Sequence, residues 1–148
     1  MIAIGSDHAG FQLKNQIFKH LQDAGYPVKD FGTYDTTSVD YPDYGQAVAE
    51  AIKDGTCEKG ILICGTGIGI SISANKVPGI RAVCCSDTFS ARMSREHNDA
   101  NILAMGERVV GLGLALEIVD VWLNTSFLGE RHQKRVDKIS LIEKKYSK

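Results

Sequence analysis

The sequence predicts an α/β fold, in which a mostly parallel sheet has helices on both of its faces. Short apolar segments of high strand preference alternate along the chain with longer amphipathic segments, as strands and crossover helices do in such folds. The 148 residues include 15 glycines and only three prolines, a balance that suits many tight strand-to-helix turns. No linker or internal repeat interrupts the alternation, so residues 1–148 are expected to form one domain with its own core.

Three of the five predicted strands lie in the first half of the chain. Residues 2–5, 28–31 and 61–64 are short apolar runs of the kind that form strands. Residues 10–24 carry apolar side chains at helical spacing and are followed by a glycine, which predicts a helix that ends there. A polar, turn-rich loop then leads to a second predicted helix at 44–53.

The second half continues the alternation with two strands and four helices. The strands are predicted at 81–85 and 102–105. The helices are predicted at 71–76, 88–96, 112–123 and 135–146. Ligands of such folds bind at the carboxyl ends of the strands, so the loops that follow the strands are the first places to search for a site.

The helix predicted at 112–123 is apolar on two faces. Leu112, Leu116 and Val119 lie on one face, and Leu114, Ile118 and Val121 lie on the other. A helix of this kind is usually buried on two sides. One side would contact the sheet and the other a second subunit, although burial within a single chain explains the pattern equally well.

Composition and charge exclude several classes of function. The net charge of −1 gives no electrostatic basis for binding nucleic acid or an anionic membrane. No apolar stretch reaches the roughly 20 residues of a membrane span, and a predicted strand opens the chain where a signal peptide would stand. The four cysteines form no Cys-x-x-Cys pair, which favours a reducing, cytoplasmic setting and argues against a zinc site. Cys84 and Cys85 are expected to be small core residues.

The most informative stretch is residues 60–73, with the sequence GILICGTGIGISIS. Gly65, Gly67 and Gly69 follow a buried strand, before a helical pattern resumes. A glycine loop beside a helix start offers free backbone N–H groups, which make an anion site. Cys64 lies at the mouth of this loop, where a thiol is a candidate nucleophile or base, although a lone cysteine is more often inert.

The same loop leaves a nucleotide-binding interpretation open. Its pattern is G-x-G-x-G and not the full dinucleotide fingerprint, but Asp87 follows the next strand about where a ribose-binding acid would lie. A P-loop is excluded, because no Gly-Lys-Ser/Thr follows. A nucleotide-binding module without enzymatic activity therefore stays as an alternative to an enzyme that binds a phosphate ligand.

Polar residues elsewhere are candidates that also have structural explanations. Asp7 and His8 follow the first strand, where Asp is a natural helix cap and His is often a solvated loop residue. His97 shares the apolar face of helix 88–96 and is as well explained by a satisfied core group. Asn98 lies in a turn that is rich in Asn and Asp, both common turn formers.

The last predicted helix carries cations on its apolar side. At helical spacing Arg131 and Arg135 fall on that side, with His132 near its edge, while the lysines lie opposite. Charges that face protein need a partner. The partner is either an acidic side chain or a phosphate, which arginine binds through two parallel hydrogen bonds.

Five motifs, in this order and over essentially the whole chain, resemble the type B ribose-5-phosphate isomerases. They are residues 6–10 (SDHAG), 63–69 (ICGTGIG), 95–101 (REHNDAN), 106–111 (GERVVG) and 131–135 (RHQKR). That family also contains galactose-6-phosphate isomerase subunits. A phosphohexose isomerase, acting on galactose 6-phosphate or allose 6-phosphate, is therefore the alternative within the family.

The resemblance implies a Rossmann-like, three-layer αβα sandwich with a five-stranded sheet and a C-terminal helix. It implies an aldose–ketose isomerase without metal or cofactor, which interconverts ribose 5-phosphate and ribulose 5-phosphate through a cis-enediolate. The small-molecule sugar phosphate would be its partner in solution. The protein would be a homodimer or a tetramer, with active sites at the subunit interface.

The resemblance also implies a role for each site residue. Cys64 would be the base that moves a proton between C2 and C1, and His97 with Thr66 would assist opening of the furanose ring. The anion hole for the enediolate would be formed by the backbone N–H groups of Gly65, Thr66, Gly67 and Gly69. The remaining substrate contacts would come from Asp7, His8, Asn98, Arg108, Arg131, His132 and Arg135. One branch of the family uses a glutamate as base, but residues 65–78 contain no Asp or Glu, which places this chain with the cysteine type.

Overall fold

Five parallel strands form the centre of the computed structural model, which describes residues 1–147. The strands are β1 (Ile2–Ser6), β2 (Val28–Asp30), β3 (Lys59–Cys64), β4 (Ala82–Cys84) and β5 (Ile102–Gly106). They lie in the order β2-β1-β3-β5-β4, and each neighbouring pair is parallel. The predicted α/β class and five-stranded sheet are confirmed. Lys148, the last residue of the predicted domain, lies outside the described residues.

Helices cover both faces of the sheet. They are α1 (Phe11–Asp23), α2 (Tyr41–Lys53), α3 (Ile68–Ala74), α4 (Thr88–Glu96), α5 (Leu112–Leu123) and α6 (Arg131–Tyr146), with a 3-10 turn at His8–Gly10 before α1. Apolar residues of α1, α4 and α5 pack on one face, and those of α2 and α3 pack on the other. The three-layer αβα sandwich is therefore confirmed. No helix within residues 1–147 combines the length and the apolar character that crossing a membrane requires.

Three helices begin earlier than the sequence predicts. Helix α2 starts at residue 41 and not at 44, because Pro42 in its first turn needs no hydrogen-bond acceptor. Helix α3 starts at residue 68 and not at 71, because Gly67 adopts a φ of 82° and turns the chain directly into the helix. Helix α6 starts at residue 131 and not at 135, directly after Gly129 and Glu130, both of which have positive φ.

The alternation of side chains along β3 divides the core into two layers. Ile61 and Ile63 belong to the layer under α1, α4 and α5, while Leu62 and Cys64 belong to the layer under α2 and α3. All four are buried. Because successive strand residues point to opposite faces, the register of β3 decides on which side of the sheet the Cys64 thiol lies.

The cysteine predictions are only half right. Cys85 is buried in the core, as expected. Cys84 is exposed, because β4 is the edge strand of the sheet.

Helix α5 packs one stripe of side chains against the sheet. Ala115, Ile118, Val119 and Trp122 are fully buried, so Ile118, which was expected on the second face, packs inside the chain. Leu112 and Leu114 remain 43% and 40% exposed. The second apolar face is therefore smaller than predicted, and its burial by another subunit stays a prediction.

Helix α6 contacts the rest of the chain through few residues. His132 and Val136, one turn apart, are its buried residues. The expectation that Arg131 and Arg135 face protein is wrong for a single chain, since both are exposed. Each lies one residue, about 100° around the helix, from the stripe that makes contact.

Candidate active site

The loops after β1 and β3 separate at the carboxyl edge of the sheet. Open α/β sheets bind ligands at such a switch point, where neighbouring strands send their connections in opposite directions. A cavity of about 410 Å³ opens there. It is lined by Asp7, His8, Ala9, Tyr41, Cys64, Gly65, Thr66, Ile68, Gly69 and Arg108.

Cys64 ends β3 with its thiol under the glycine loop. The residue is 4% exposed and lines the cavity. The backbone N–H of Gly67 donates a hydrogen bond to Sγ at 3.1 Å. This hydrogen bond and the place of Cys64 at the end of β3 hold the sulfur in the wall of the cavity.

Two carbonyl groups of the glycine loop are hydrogen-bonded to another turn of the chain. The carbonyls of Cys64 and Gly65 accept hydrogen bonds from the backbone of the turn after β5, at 3.0 and 3.1 Å. Within residues 1–147, the backbone N–H groups of Gly65, Thr66 and Gly69 have no hydrogen-bond partner. Unpaired donors around a cavity are suited to binding a negatively charged oxygen.

Two glycines of the loop leave no space for a side chain. At Gly67, where φ is 82°, an added Cβ would lie 2.7 Å from the carbonyl carbon of Met105. At Gly69 it would lie 2.6 Å from the ring of Tyr41, which borders the same cavity. The loop therefore keeps its shape only with glycine at both positions.

The loop after β1 supplies two polar side chains. Oδ1 of Asp7 accepts hydrogen bonds from the N–H groups of Ala9 and Gly10 at 3.0 and 3.1 Å, so the predicted cap is present. Nδ1 of His8 accepts a hydrogen bond from the backbone N–H of Val39 at 3.1 Å. Both residues line the cavity as well.

The turn after β5 brings a cation to the cavity. Arg108 lines it, and an added Cβ on Gly65 would lie 3.3 Å from a terminal guanidinium nitrogen. The preceding residue, Glu107, accepts a hydrogen bond from the N–H of Leu13 in the first turn of α1, at 2.6 Å. This contact ties the turn that carries Arg108 to the segment that carries His8.

The other predicted site residues lie at the opposite, amino edge of the sheet. Helix α4 runs from the carboxyl end of β4 back to the amino end of β5, and His97 caps its end. The N–H of Leu128 donates to the carbonyl of Glu96 at 3.1 Å, which holds the start of α6 there. We call the residues of this region the amino-edge group: His97, Asn98, Arg131, His132 and Arg135.

Two histidine rings stack within the amino-edge group. The centroids of His97 and His132 are 4.2 Å apart, and the ring planes differ by 12°. Burial, and then the neighbouring His97, Arg131 and Arg135, lower the pKa of His132. The buried position and the neighbouring cations thus disfavour the protonated form of His132.

Sequence reasoning missed Tyr41, which lines the cavity, Val39, which donates a hydrogen bond to His8, and the buried Lys14. Tyr41 and Val39 gave no signal, because they lie in or next to a turn-rich loop. Lys14 is fully buried, and its ammonium group contacts both carboxylate oxygens of Asp30 at 2.7 Å. Its place beside Leu13, on the apolar side of α1, is a signal that could have identified it.

Known proteins resemble the chain over almost its full length. Residues 2–139 match the Ribose/Galactose Isomerase family. Ribose-5-phosphate isomerase B of Escherichia coli is 55% identical over 144 residues, which cover 97% of each chain. D-erythrulose-4-phosphate isomerase of Pectobacterium atrosepticum is 49% identical, covering 96% of this chain and 94% of the relative. A solved ribose-5-phosphate isomerase B of Clostridium thermocellum has a TM-score of 0.98 and 66% identity, with 99% of each chain covered.

Proposed function

The chain belongs to the Ribose/Galactose Isomerase family, and from this premise we propose that it interconverts ribose 5-phosphate and ribulose 5-phosphate. It is a sugar-phosphate isomerase, an enzyme that moves hydrogen within one substrate. The observation that carries the proposal is the cavity at the carboxyl edge. There the Cys64 sulfur accepts a hydrogen bond, and backbone N–H groups without partners border the same space.

Cys64 is the base in this proposal. Its thiolate removes the proton from C2 of the open-chain aldose, and the electron pair of that bond forms the C1–C2 double bond of a cis-enediolate. The thiol exchanges its hydrogen with solvent and then delivers a proton to C1, while the proton of O2 passes to O1, so that O2 becomes the carbonyl oxygen of the ketose. No oxidant or reductant is consumed, because C1 is reduced as C2 is oxidised.

The glycine loop stabilises the charge that develops in this step. Removing the C2 proton places negative charge on O1, where the N–H groups of Gly65, Thr66, Gly67 and Gly69 form the anion hole. Donors already oriented toward such an oxygen each contribute about 3 kcal/mol to transition-state stabilisation when tested by removal. The N–H of Gly67 differs from the other three donors, because it already donates a hydrogen bond to Sγ of Cys64.

Ring opening and part of the phosphate binding require a second copy of the chain. His97, assisted by Thr66, moves the proton from O1 to the ring oxygen of the furanose, and histidine is suited to this transfer near neutral pH. Within one chain His97 lies at the amino edge and Cys64 at the carboxyl edge. A homodimer in which the amino-edge group of one chain meets the cavity of the other completes two sites.

Exposed apolar side chains support the dimer. Ile68 and Ile72 of α3 are 56% and 55% exposed, and Ile139 and Ile142 of α6 are 47% and 61% exposed. Apolar side chains that are exposed in pairs one helical turn apart are suited to a protein–protein contact.

The substrate contacts divide between the two copies. His8 and Arg108 bind the phosphate from one chain, while Arg131 and Arg135, with His132 beside them, bind it from the other. Within residues 1–147 neither Arg131 nor Arg135 forms a salt bridge, so no acidic side chain among these residues competes with a phosphate for them. Asp7 and Asn98 bind sugar hydroxyls.

The remaining expectations agree with this role. Residues 1–148 form one isomerase domain in the proposal, and no metal or cofactor takes part in the reaction. All four cysteines are free thiols, which supports the expected reducing, cytoplasmic setting.

Proton exchange measured by NMR tests the proposal. Ribose 5-phosphate is incubated in D2O with the wild-type enzyme and, separately, with Cys64→Ala. We expect ribulose 5-phosphate with deuterium at C1 from the wild type and almost no conversion from the variant. Cys57→Ala is the matched control, since Cys57 is a buried thiol outside the cavity. Near-normal conversion by Cys64→Ala would contradict the cysteine base.

The same assay separates the substrates. Galactose 6-phosphate, allose 6-phosphate and erythrulose 4-phosphate are compared with ribose 5-phosphate through their kcat/KM values. We expect the pentose phosphate to give the largest value. A larger value for a hexose or tetrulose phosphate would keep the mechanism and change the substrate, whereas saturable nucleotide binding without isomerisation would favour the binding module.

A further inference from the structure

The hydrogen bond between Val39 and His8 defines the protonation of the His8 ring. The backbone N–H of Val39 lies 3.1 Å from Nδ1 of His8. An amide N–H only donates, so Nδ1 must accept and carries no proton. The proton of the neutral imidazole is then on Nε2, which has no hydrogen-bond partner among residues 1–147. His8 therefore presents one N–H donor from a half-buried position in the wall of the cavity.

The loop that carries Val39 is fixed at both ends. At its start, the N–H of Thr33 donates to the carbonyl of Ser6 at 2.8 Å, and Nζ of Lys14 donates to the carbonyl of Thr33 at 2.6 Å. Lys14 is fully buried and paired with Asp30. At its end, the chain enters α2 at Tyr41, whose ring packs against Gly69. A loop held in this way presents the Val39 N–H in one place.

We propose that the Val39 N–H is a positioning group of the phosphate site, which holds His8 in the Nε2–H tautomer. This inference rests on the proposed function, since that function assigns His8 to the substrate phosphate. A phosphate near neutral pH carries oxygens that accept hydrogen bonds. The Nε2–H tautomer donates to such an oxygen, whereas the other tautomer would present a lone pair and repel it. The loop after β2 is in this way part of the phosphate site, although none of its side chains needs to touch the substrate.

The tautomer is measured directly by long-range 1H–15N NMR of the wild-type protein without substrate. The spectrum distinguishes a protonated ring nitrogen from an unprotonated one by its 15N shift, and His8→Gln assigns the signals. We expect His8 with an unprotonated Nδ1 and a protonated Nε2. The opposite tautomer, or a rapidly exchanging mixture of both, overturns the proposal. This result does not depend on isomerase activity, so it remains valid if the proposed function fails.

A pair of substitutions tests the role of the N–H itself. Val39→Pro removes the donor, whereas Val39→Ala keeps it and shortens the side chain. We expect the proline variant to lose the preference for the Nε2–H tautomer and to raise KM for ribose 5-phosphate about tenfold, with kcat little changed, because a hydrogen bond to a charged group is weakened. The alanine variant should keep the wild-type tautomer and KM.

Three outcomes of this pair overturn the proposal. If the tautomer stays Nε2–H in Val39→Pro, the N–H does not hold the ring. If Val39→Ala raises KM as much as Val39→Pro does, packing of the side chain and not the hydrogen bond is responsible. A kcat loss with unchanged KM would also contradict a role in phosphate binding.

Discussion

The two edges of the sheet differ in how far a single chain completes them. At the carboxyl edge, Cys64 is buried and His8 and Glu107 are held by hydrogen bonds to neighbouring segments. At the amino edge, Arg131 and Arg135 are exposed and α6 is in contact with the chain through few residues. The proposed base, Cys64, is thus held in position by a single chain, whereas Arg131 and Arg135, the proposed phosphate ligands, are not.

This difference follows from the connectivity of a parallel sheet. Each helix that leaves the carboxyl edge returns the chain to the amino edge, so loops after strands and loops after helices lie at opposite edges. Cys64 ends a strand, and His97 ends a helix. A site that contains both residues therefore needs a second copy of the chain. The following substitutions test this separation and are given from the largest expected effect to the smallest.

Replacing His97 by alanine should lower turnover by about 10² to 10⁴, because general acid–base catalysis of ring opening is lost. His97 lies at the edge away from Cys64, so the loss would show that this edge takes part in the reaction. Steady-state kinetics with ribose 5-phosphate measure it. The control is His20→Ala, because His20 is hydrogen-bonded to Asp120 between α1 and α5 and belongs neither to the cavity nor to the amino-edge group. Equal turnover in His97→Ala and the wild type would remove the amino-edge group from the site.

Replacing Arg135 by alanine should raise KM about 10- to 100-fold and change kcat less, because one charge-assisted contact to the phosphate is lost. Lys134→Ala, on the same turn of α6, is the matched control and should leave KM near the wild-type value. The comparison uses initial rates over a range of ribose 5-phosphate concentrations. An unchanged KM in Arg135→Ala, or an equal rise in both variants, would show that Arg135 has no specific phosphate contact.

Replacing Glu107 by alanine should raise KM several-fold, because the turn with Arg108 loses its hydrogen bond to the N–H of Leu13. Glu107→Gln keeps an acceptor oxygen and should lie close to the wild type. The thermal midpoint of the alanine variant should also fall, since the first turn of α1 loses a cap. Equal damage in both variants would indicate that the negative charge, and not the hydrogen bond, is what the turn requires.

Replacing His132 by glutamine should reduce the loss of stability in acid, the smallest of these effects. The pKa of His132 is lowered in the folded state, so below about pH 6.5 the unfolded chain takes up a proton that the folded chain does not. That contribution to stability is complete above the unfolded pKa and is lost as the pH falls toward the folded one. The wild-type Tm should therefore fall more steeply than the variant's between pH 7 and 5.5. Parallel Tm curves would contradict the lowered pKa.

The fold could be predicted from the sequence because its signals are local. Helix α4 begins and ends where its sequence indicates, since Asp87 caps its first turn through the N–H of Ser90. Three alternating glycines after an apolar run indicated the glycine loop. In both cases the determining residues are neighbours in the chain.

The missed features depend on contacts between distant segments. The stacking of His132 on His97 joins residues of two different helices, and it explains why His132 and not Arg131 is buried. The bond from Val39 to His8 likewise joins loops that meet only in the folded sheet. Periodicity gives the face of a helix, but it does not give the partner that covers this face.

The most direct test of the shared site is complementation between two inactive variants. Cys64→Ala and His97→Ala are co-expressed with different tags, and the mixed dimer is purified and assayed with ribose 5-phosphate. If each site takes Cys64 from one chain and His97 from the other, the mixed dimer has one intact site of two and should recover about half of wild-type turnover. Activity no higher than that of the separate variants would contradict the sharing of the site between chains.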